Sequence, residues 1–154
     1  MINLFGTIIG LSLALIVSPA KTLACPLELP TATISINGHM LTVELAATPA
    51  ARSCGLSRRE DLPQNQGMLF IFPESRPQTF WMKDTQIPLS IAFLDDSGKI
   101  INIQDMAPMQ TDVLYPSSGP AKYALEVNQG WFKRHEIEVG NSVAMELPLV
   151  IDIK

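Results

Sequence analysis

The sequence predicts an α+β chain that is mainly β: a compact antiparallel, barrel-like sheet of seven to eight short strands with one or two short helices. Three observations carry this expectation. Residues 31–45 alternate apolar and polar around Asn37-Gly38, the strongest short-range hairpin signal. Residues 67–72 are a continuous apolar run of strand length, as in a strand covered on both faces. Turn residues at 95–98 and at Gly140-Asn141 separate further short alternating runs. With 154 residues, 47% hydrophobic and 17% charged, the chain holds one ordinary core.

The first element is an export segment. Residues 4–17 are uncharged and apolar apart from Gly, Ser and Thr. A bilayer span needs roughly 20 such residues, so the run fits the apolar region of a signal peptide better than a permanent anchor. Pro19 breaks the helix, and Thr22-Leu23-Ala24 supplies small residues for cleavage after Ala24. Only the amino terminus supplies positive charge ahead of the run. The expected organisation is a signal peptide over 1–24, a linker over 25–30 and one domain over 31–154. The protein is then exported, periplasmic or extracellular, with no membrane span after cleavage. Trimming removes Lys21 and leaves 10 basic against 15 acidic residues, a formal charge of −5. That acidity argues against nucleic acid and against docking on anionic lipid.

Cys25 and Cys54 are the two cysteines. Outside the cytosol they form a disulfide candidate. Cys25 also stands where a lipoprotein carries its lipid anchor, although Leu is missing three places before it. Two free thiols are the third alternative.

In the first hairpin, Ile36 is expected opposite His39, Ile34 opposite Leu41 and Ala32 opposite Val43, all on the buried face. Thr48-Pro49 reads as a helix start, Thr as cap and Pro at the first helical position. The helix runs past Gly55 into a polar continuation over 57–61 and is the one expected to exceed two turns. Strands follow over 67–72, 78–82 and 88–94. The last of these pairs with 99–105 through the 95–98 turn. Residues 121–127 alternate Tyr123, Leu125 and Val127 against Lys122, Ala124 and Glu126, which places Glu126 outward beside Lys122. A short helix capped by Asn128 is expected over 128–135, then a hairpin joining 137–139 to 142–147, and an edge strand over 149–153.

Several stretches together resemble one family. They include Arg52-Ser53-Cys54-Gly55-Leu56, Gly67-Met68-Leu69-Phe70, Phe80-Trp81-Met82-Lys83-Asp84-Thr85, Ile87-Pro88-Leu89, Met106-Ala107-Pro108, and Tyr123-Ala124-Leu125-Glu126-Val127 followed by Gly130. They are similar to domain of unknown function family 192, small and often exported prokaryotic proteins, over roughly residues 35–147. The resemblance implies a compact, mostly β single domain and brings no biochemical activity with it. Two positions depart from the pattern: Asp84 stands where the family has Asn, and Ser90 where it has Asp. A carboxylate working in that region would have moved. Cys54 replaces a more usual Arg, which fits a local bridge to Cys25.

The densest chemistry lies in 80–85. A strand leading into a polar turn presents Lys83 and Asp84 beside Trp81, whose ring can stack on a sugar or hold a cation. The plainer alternative puts Phe80 and Met82 in the core and leaves a solvated turn with Thr85 bonded to its own backbone. The candidate ligand-binding residues are Trp81, Lys83, Asp84, Thr85 and Glu126; no catalytic residue is assigned. His39 and His135 form no recognisable set, and no Gly-x-Ser-x-Gly elbow or phosphate loop occurs. Copper binding is a further alternative, from Met40, Met68, Met82, Met106, Met109 and Met145, with His39-Met40 and Met106-x-x-Met109 as fragments. Met68 and Met145 read as core. Trp131 reads as core rather than as a platform. No cofactor and no zinc motif is expected. The first functional expectation is a binding module of the cell envelope, its partner a small molecule, glycan or envelope protein. The alternative is a small envelope hydrolase using Lys83, Asp84 and Glu126.

Overall fold

The computed structural model describes residues 25–148, 151, 153 and 154. The expected signal peptide lies outside the described residues, and the expected edge strand over 149–153 lies largely outside them. Nine strands and two short helices are described: β1 (Thr31–Ile36), β2 (His39–Ala46), α1 (Pro49–Cys54), β3 (Gln66–Arg76), β4 (Thr79–Phe80), β5 (Leu89–Leu94), β6 (Ile100–Met106), β7 (Tyr115–Pro116), β8 (Ala121–Asn128), α2 (Trp131–Arg134) and β9 (Val143–Met145). Seven strands form a curled half-barrel in the order β6-β5-β8-β3-β2-β1-β9, and β4 pairs with β7 separately.

The Asn37-Gly38 hairpin has the expected register, Ile36 opposite His39 and Ala32 opposite Val43. Asn37 and Gly38 take φ of 50° and 84°, the left-handed pair that such a turn requires. His39 departs from the expectation: it is exposed. Its ring sits 4.6 Å from that of His135, whose own ring lies 4.3 Å from Trp131. The imidazole lies at the strand end against the His135 ring and stays at the surface.

α1 begins as the residues dictate. Thr48 is its cap, with Oγ1 accepting from the Ala51 amide at 3.2 Å, and Pro49 follows. It ends at Gly55 rather than continuing over 57–61, because Gly55 and Arg58 both take positive φ. α2 is shorter than expected, capped at Gly130 (φ 76°) rather than Asn128. The Asn128 amide instead donates to the Leu62 carbonyl at 2.7 Å. Residues 137–139 form no strand.

The pairings are antiparallel except for β2 with β3, which α1 joins as a crossover. The two edges of the sheet meet at one bridge, Lys99 to Ser142. The outer side of β6 is covered: Asn102 and Gln104 amides donate to the Pro116 carbonyl, and Ser118 Oγ donates to Ile101.

Two apolar clusters occupy the two faces. The first draws on both edges, Ile100 and Val143 included, and fills the inside of the curl around Leu45, Leu69, Leu125 and Phe132. The second lies outside it, under α1 and residues 82–87, with Met68, Phe70, Phe93 and Ala124. β8 is therefore covered on both sides, and Ala124 to Val127 are all buried. Gly67 of β3 belongs to this close packing, since a Cβ there would lie 2.5 Å from the Glu126 carbonyl oxygen. Gly67→Ala is expected to cost about 1–3 kcal/mol, as overpacking does, read as a lower urea midpoint at unchanged slope.

Candidate functional site

Cross-strand partners share a face. Glu126 of β8 is opposite Met68 of β3 and Ile91 of β5. One row across the sheet therefore reads Glu44, Met68, Glu126, Ile91 and Gln104. Met68 and Ile91 belong to the second cluster, so Glu126 points into that packed face and is 4% exposed. This corrects the outward placement beside Lys122. The lysine instead donates to the Pro73 carbonyl at 2.9 Å. The two carboxylates of the row are treated differently. Glu44 receives both Arg59 terminal nitrogens, at 2.5 and 2.6 Å. The Glu126 carboxyl has no hydrogen bond or ion pair within the described residues.

Burial without a partner disfavours the charged form, and it pushes the Glu126 pKa up to about 8. At neutral pH the group is a carboxylic acid, able to donate a hydrogen bond. It faces a cavity of about 40 Å³ bordered by Arg52, Phe80, Trp81, Lys83 and Thr85, together with the turn after α1. A water needs about 10–15 Å³ on this measure, so the space takes a group of a few heavy atoms. A recess of about 160 Å³ shares Ser53, Ser57, Trp81 and Lys83 with it and adds Cys25, Arg58 and Asp84.

The walls follow from local chemistry. Phe80 sits edge-on to Phe70 and Phe93, with centroids 4.8 and 5.5 Å away. The chain then leaves the core at Trp81, which is 53% exposed. Met82 returns to the core. Lys83 Nζ lies 5.4 Å from the centre of the Trp81 ring. Thr85 Oγ1 donates to the Lys83 carbonyl at 3.2 Å, closing the turn on its own backbone as expected. Three non-glycine residues with positive φ meet here: Arg58 (62°), Asp84 (54°) and Met109 (61°). The Arg58 amide donates to Asp84 and the Met109 amide to Thr85, at 2.8 and 2.9 Å. Such conformations cost about 1–3 kcal/mol each and concentrate where side chains must be held in place.

The cysteines are bridged, Cys25 to Cys54 with Cα atoms 5.5 Å apart. This excludes the free-thiol and Cys25-lipid alternatives. Cys54 borders the inner cavity and Cys25 the outer recess, so the bridge stands between them.

Of the five residues singled out in the sequence, Trp81, Lys83, Thr85 and Glu126 border one cavity, and Asp84 borders the adjoining recess. Arg52, Ser53 and Ser57 were not foreseen; the bridge that brings α1 to this face was the available signal. Ser90 lies elsewhere. It pairs with Val127, on the inner face, and its hydroxyl donates to Asp105 at 2.5 Å while accepting from the Gly130 amide. The two departures from the family pattern therefore fall at different places. Of the methionines named for copper, Met68, Met82 and Met106 fall in the second apolar cluster. Met40 and Met109 are more than half exposed. Met145 packs partly buried on the inner cluster. Trp131 is buried in that cluster, as expected.

The family model described as DUF192, an uncharacterised ACR, matches residues 32–145. The chain belongs to this family. The DUF192 region spans every element from β1 to β9, and its description names no activity. No curated protein matches the chain. Two solved structures share the fold. One, described as a candidate transcription regulator from Sinorhizobium meliloti 1021, is 34% identical with a TM-score of 0.74. It covers 78% of this chain and 97% of its own. The other, of unknown function, from Novosphingobium aromaticivorans DSM 12444, is 33% identical with a TM-score of 0.70. It covers 75% of this chain and 85% of its own.

Proposed function

We propose that this DUF192 protein is an exported binding domain of the cell envelope, and that the cavity over Glu126 is its recognition site. The observation that carries the reading is a buried carboxyl with no partner among the described residues, facing a cavity whose rim is a half-exposed tryptophan. A buried polar group in that state is completed by something that enters. Loops fixed on a rigid sheet supply the remaining contacts. The bridge supports export, since disulfides persist outside the reducing cytosol. No helix among the described residues is long and apolar enough to cross a membrane. A net charge of −4 weighs against duplex DNA as the ligand, whatever the Sinorhizobium relative binds.

A thermal-shift screen of small molecules and glycans, followed by indole fluorescence, tests the reading. A compound at 100 times its Kd is expected to stabilise the fold by about 2.7 kcal/mol. Trp81→Ala is expected to lose that response while melting near the parent temperature, because the ring is half exposed. A response undiminished by Trp81→Ala would move the site elsewhere.

One observation favours a second reading, a hydrolase. A carboxylic acid with a pKa near 8, bordering the same cavity as Lys83, suits a general acid. Glu126→Gln separates the two: it abolishes turnover in an enzyme and leaves binding nearly intact in a binding domain.

A further inference from the structure

Resting on the reading of this cavity as a ligand site, we infer that it takes a carboxylate-bearing small molecule, the carboxylate entering against Glu126 and the body lying on Trp81. The inner space admits a group of a few heavy atoms, which fits a carboxylate and excludes a whole ring. What faces that space is a hydrogen-bond donor at its floor and cationic side chains around it. Arg52, from α1, and Lys83, from the turn after β4, border the cavity; β3 and β5 present Met68 and Ile91 to Glu126, neither titratable. Arg58 adds a second cation in the outer recess, where Asp84 is the acidic residue.

Lys83 and Arg58 have no carboxylate partner among the described residues, whereas Arg52 is occupied, its Nη2 donating to Lys154 O at 2.5 Å. The Arg59–Glu44 ion pair lies away from the cavity. Lys83 rests over the Trp81 ring, within reach of an arriving anion. Arg52 is spent within the protein: its Nη1 donates to the Ala47 and Ile71 carbonyls and its Nη2 to Lys154 O, so it forms a fixed part of the wall. An uncharged acid donating to a carboxylate makes a short, charge-assisted O–H···O⁻ bond. A ligand cation would instead meet Lys83 and Arg58. Outside the cavity, the half-exposed face of Trp81 is a platform for a sugar or aromatic ring, and exposed Met109 lies in the segment bonded to the turn.

The carboxylate can come from an acidic sugar or from an aromatic acid, and the test separates them. Glucuronate and benzoate are titrated into the protein by calorimetry and amide NMR, with glucose and the two methyl esters as uncharged controls, at pH 6 and pH 9. At least one acid is expected to bind at pH 6 at least tenfold more tightly than its ester, and to weaken at least tenfold at pH 9, when Glu126 becomes an anion. Glu126→Gln keeps a neutral donor, so its affinity is expected within about threefold of the parent at pH 6 and flat with pH. Lys83→Met is expected to weaken the acid about tenfold and leave the ester unchanged. Esters binding as well as acids, or acid affinity that rises with pH, would overturn the carboxylate assignment and leave the site standing. Silence from acids, esters and glucose alike, with chemical shifts at Trp81 unmoved, would overturn the inference; a screen hit of another chemistry at Trp81 would show that the broader reading survives it.

Discussion

Denaturation of the protein at a series of pH values will show stability falling as pH rises from about 4.5 to about 8, and Glu126→Gln will remove that component. The folded pKa of Glu126 is about 8 against an ordinary value of 4.5. Between these values the native state holds a proton that the unfolded chain has released, so raising the pH favours unfolding. The contribution is fully present below pH 4.5, is lost as pH climbs through 8, and changes no further above that. At 1.36 kcal/mol per unit, the span from 4.5 to about 8 bounds the loss at about 5 kcal/mol. The difference between parent and Glu126→Gln isolates this group, because every other titrating residue is common to both. A difference independent of pH would show that the carboxyl is charged in the native state. A total stability of 5–15 kcal/mol is usual for such a domain, so the slope will be plain in urea midpoints.

The second large effect belongs to the bridge. Replacing Cys25 and Cys54 together by Ala will destabilise the fold by about 3–4 kcal/mol, the loop-closure value for a separation of 29 residues. A drop of roughly 10 °C in Tm accompanies it. The loss falls first on residues 25–30 and the end of α1, where Cys25 borders the outer recess and Cys54 the inner cavity, so amide exchange will rise there before it rises in β3 or β8. Uniform acceleration across the sheet would mean that the bridge acts on the whole chain alone and does not hold the site.

The hairpins at Asn37-Gly38 and at 95–98 and the buried strand were legible because each rests on local chemistry: Asn37-Gly38 sets its own turn, and 67–72 has no polar face to expose. The hairpin expected across Gly140-Asn141 is absent, and β9 pairs with β1 instead. Thr48-Pro49 likewise announced α1. The parallel pairing of β2 with β3 was not legible, since register between strands twenty residues apart leaves no local mark. Glu126 was misread for a related reason. Alternation along β8 distinguishes two faces but cannot say whether the second is covered, and here α1 and residues 82–87 cover it. Ala124, small where a solvent-facing residue would be polar, was the hint. In the candidate site, four of the five residues named from the sequence border one cavity because Trp81, Lys83 and Thr85 share a turn. The meeting with Arg52 depended on the disulfide.

The covered flank of β6 has a consequence for how this molecule behaves in company. An uncovered outer strand offers its amides and carbonyls to any passing chain and seeds fibres. Here the Ser118 hydroxyl takes the Ile101 carbonyl, the Asn102 and Gln104 side chains tie the 116–118 segment alongside, and β9 on the opposite flank is three residues long. A rim filled in this way leaves an incoming strand less to pair with.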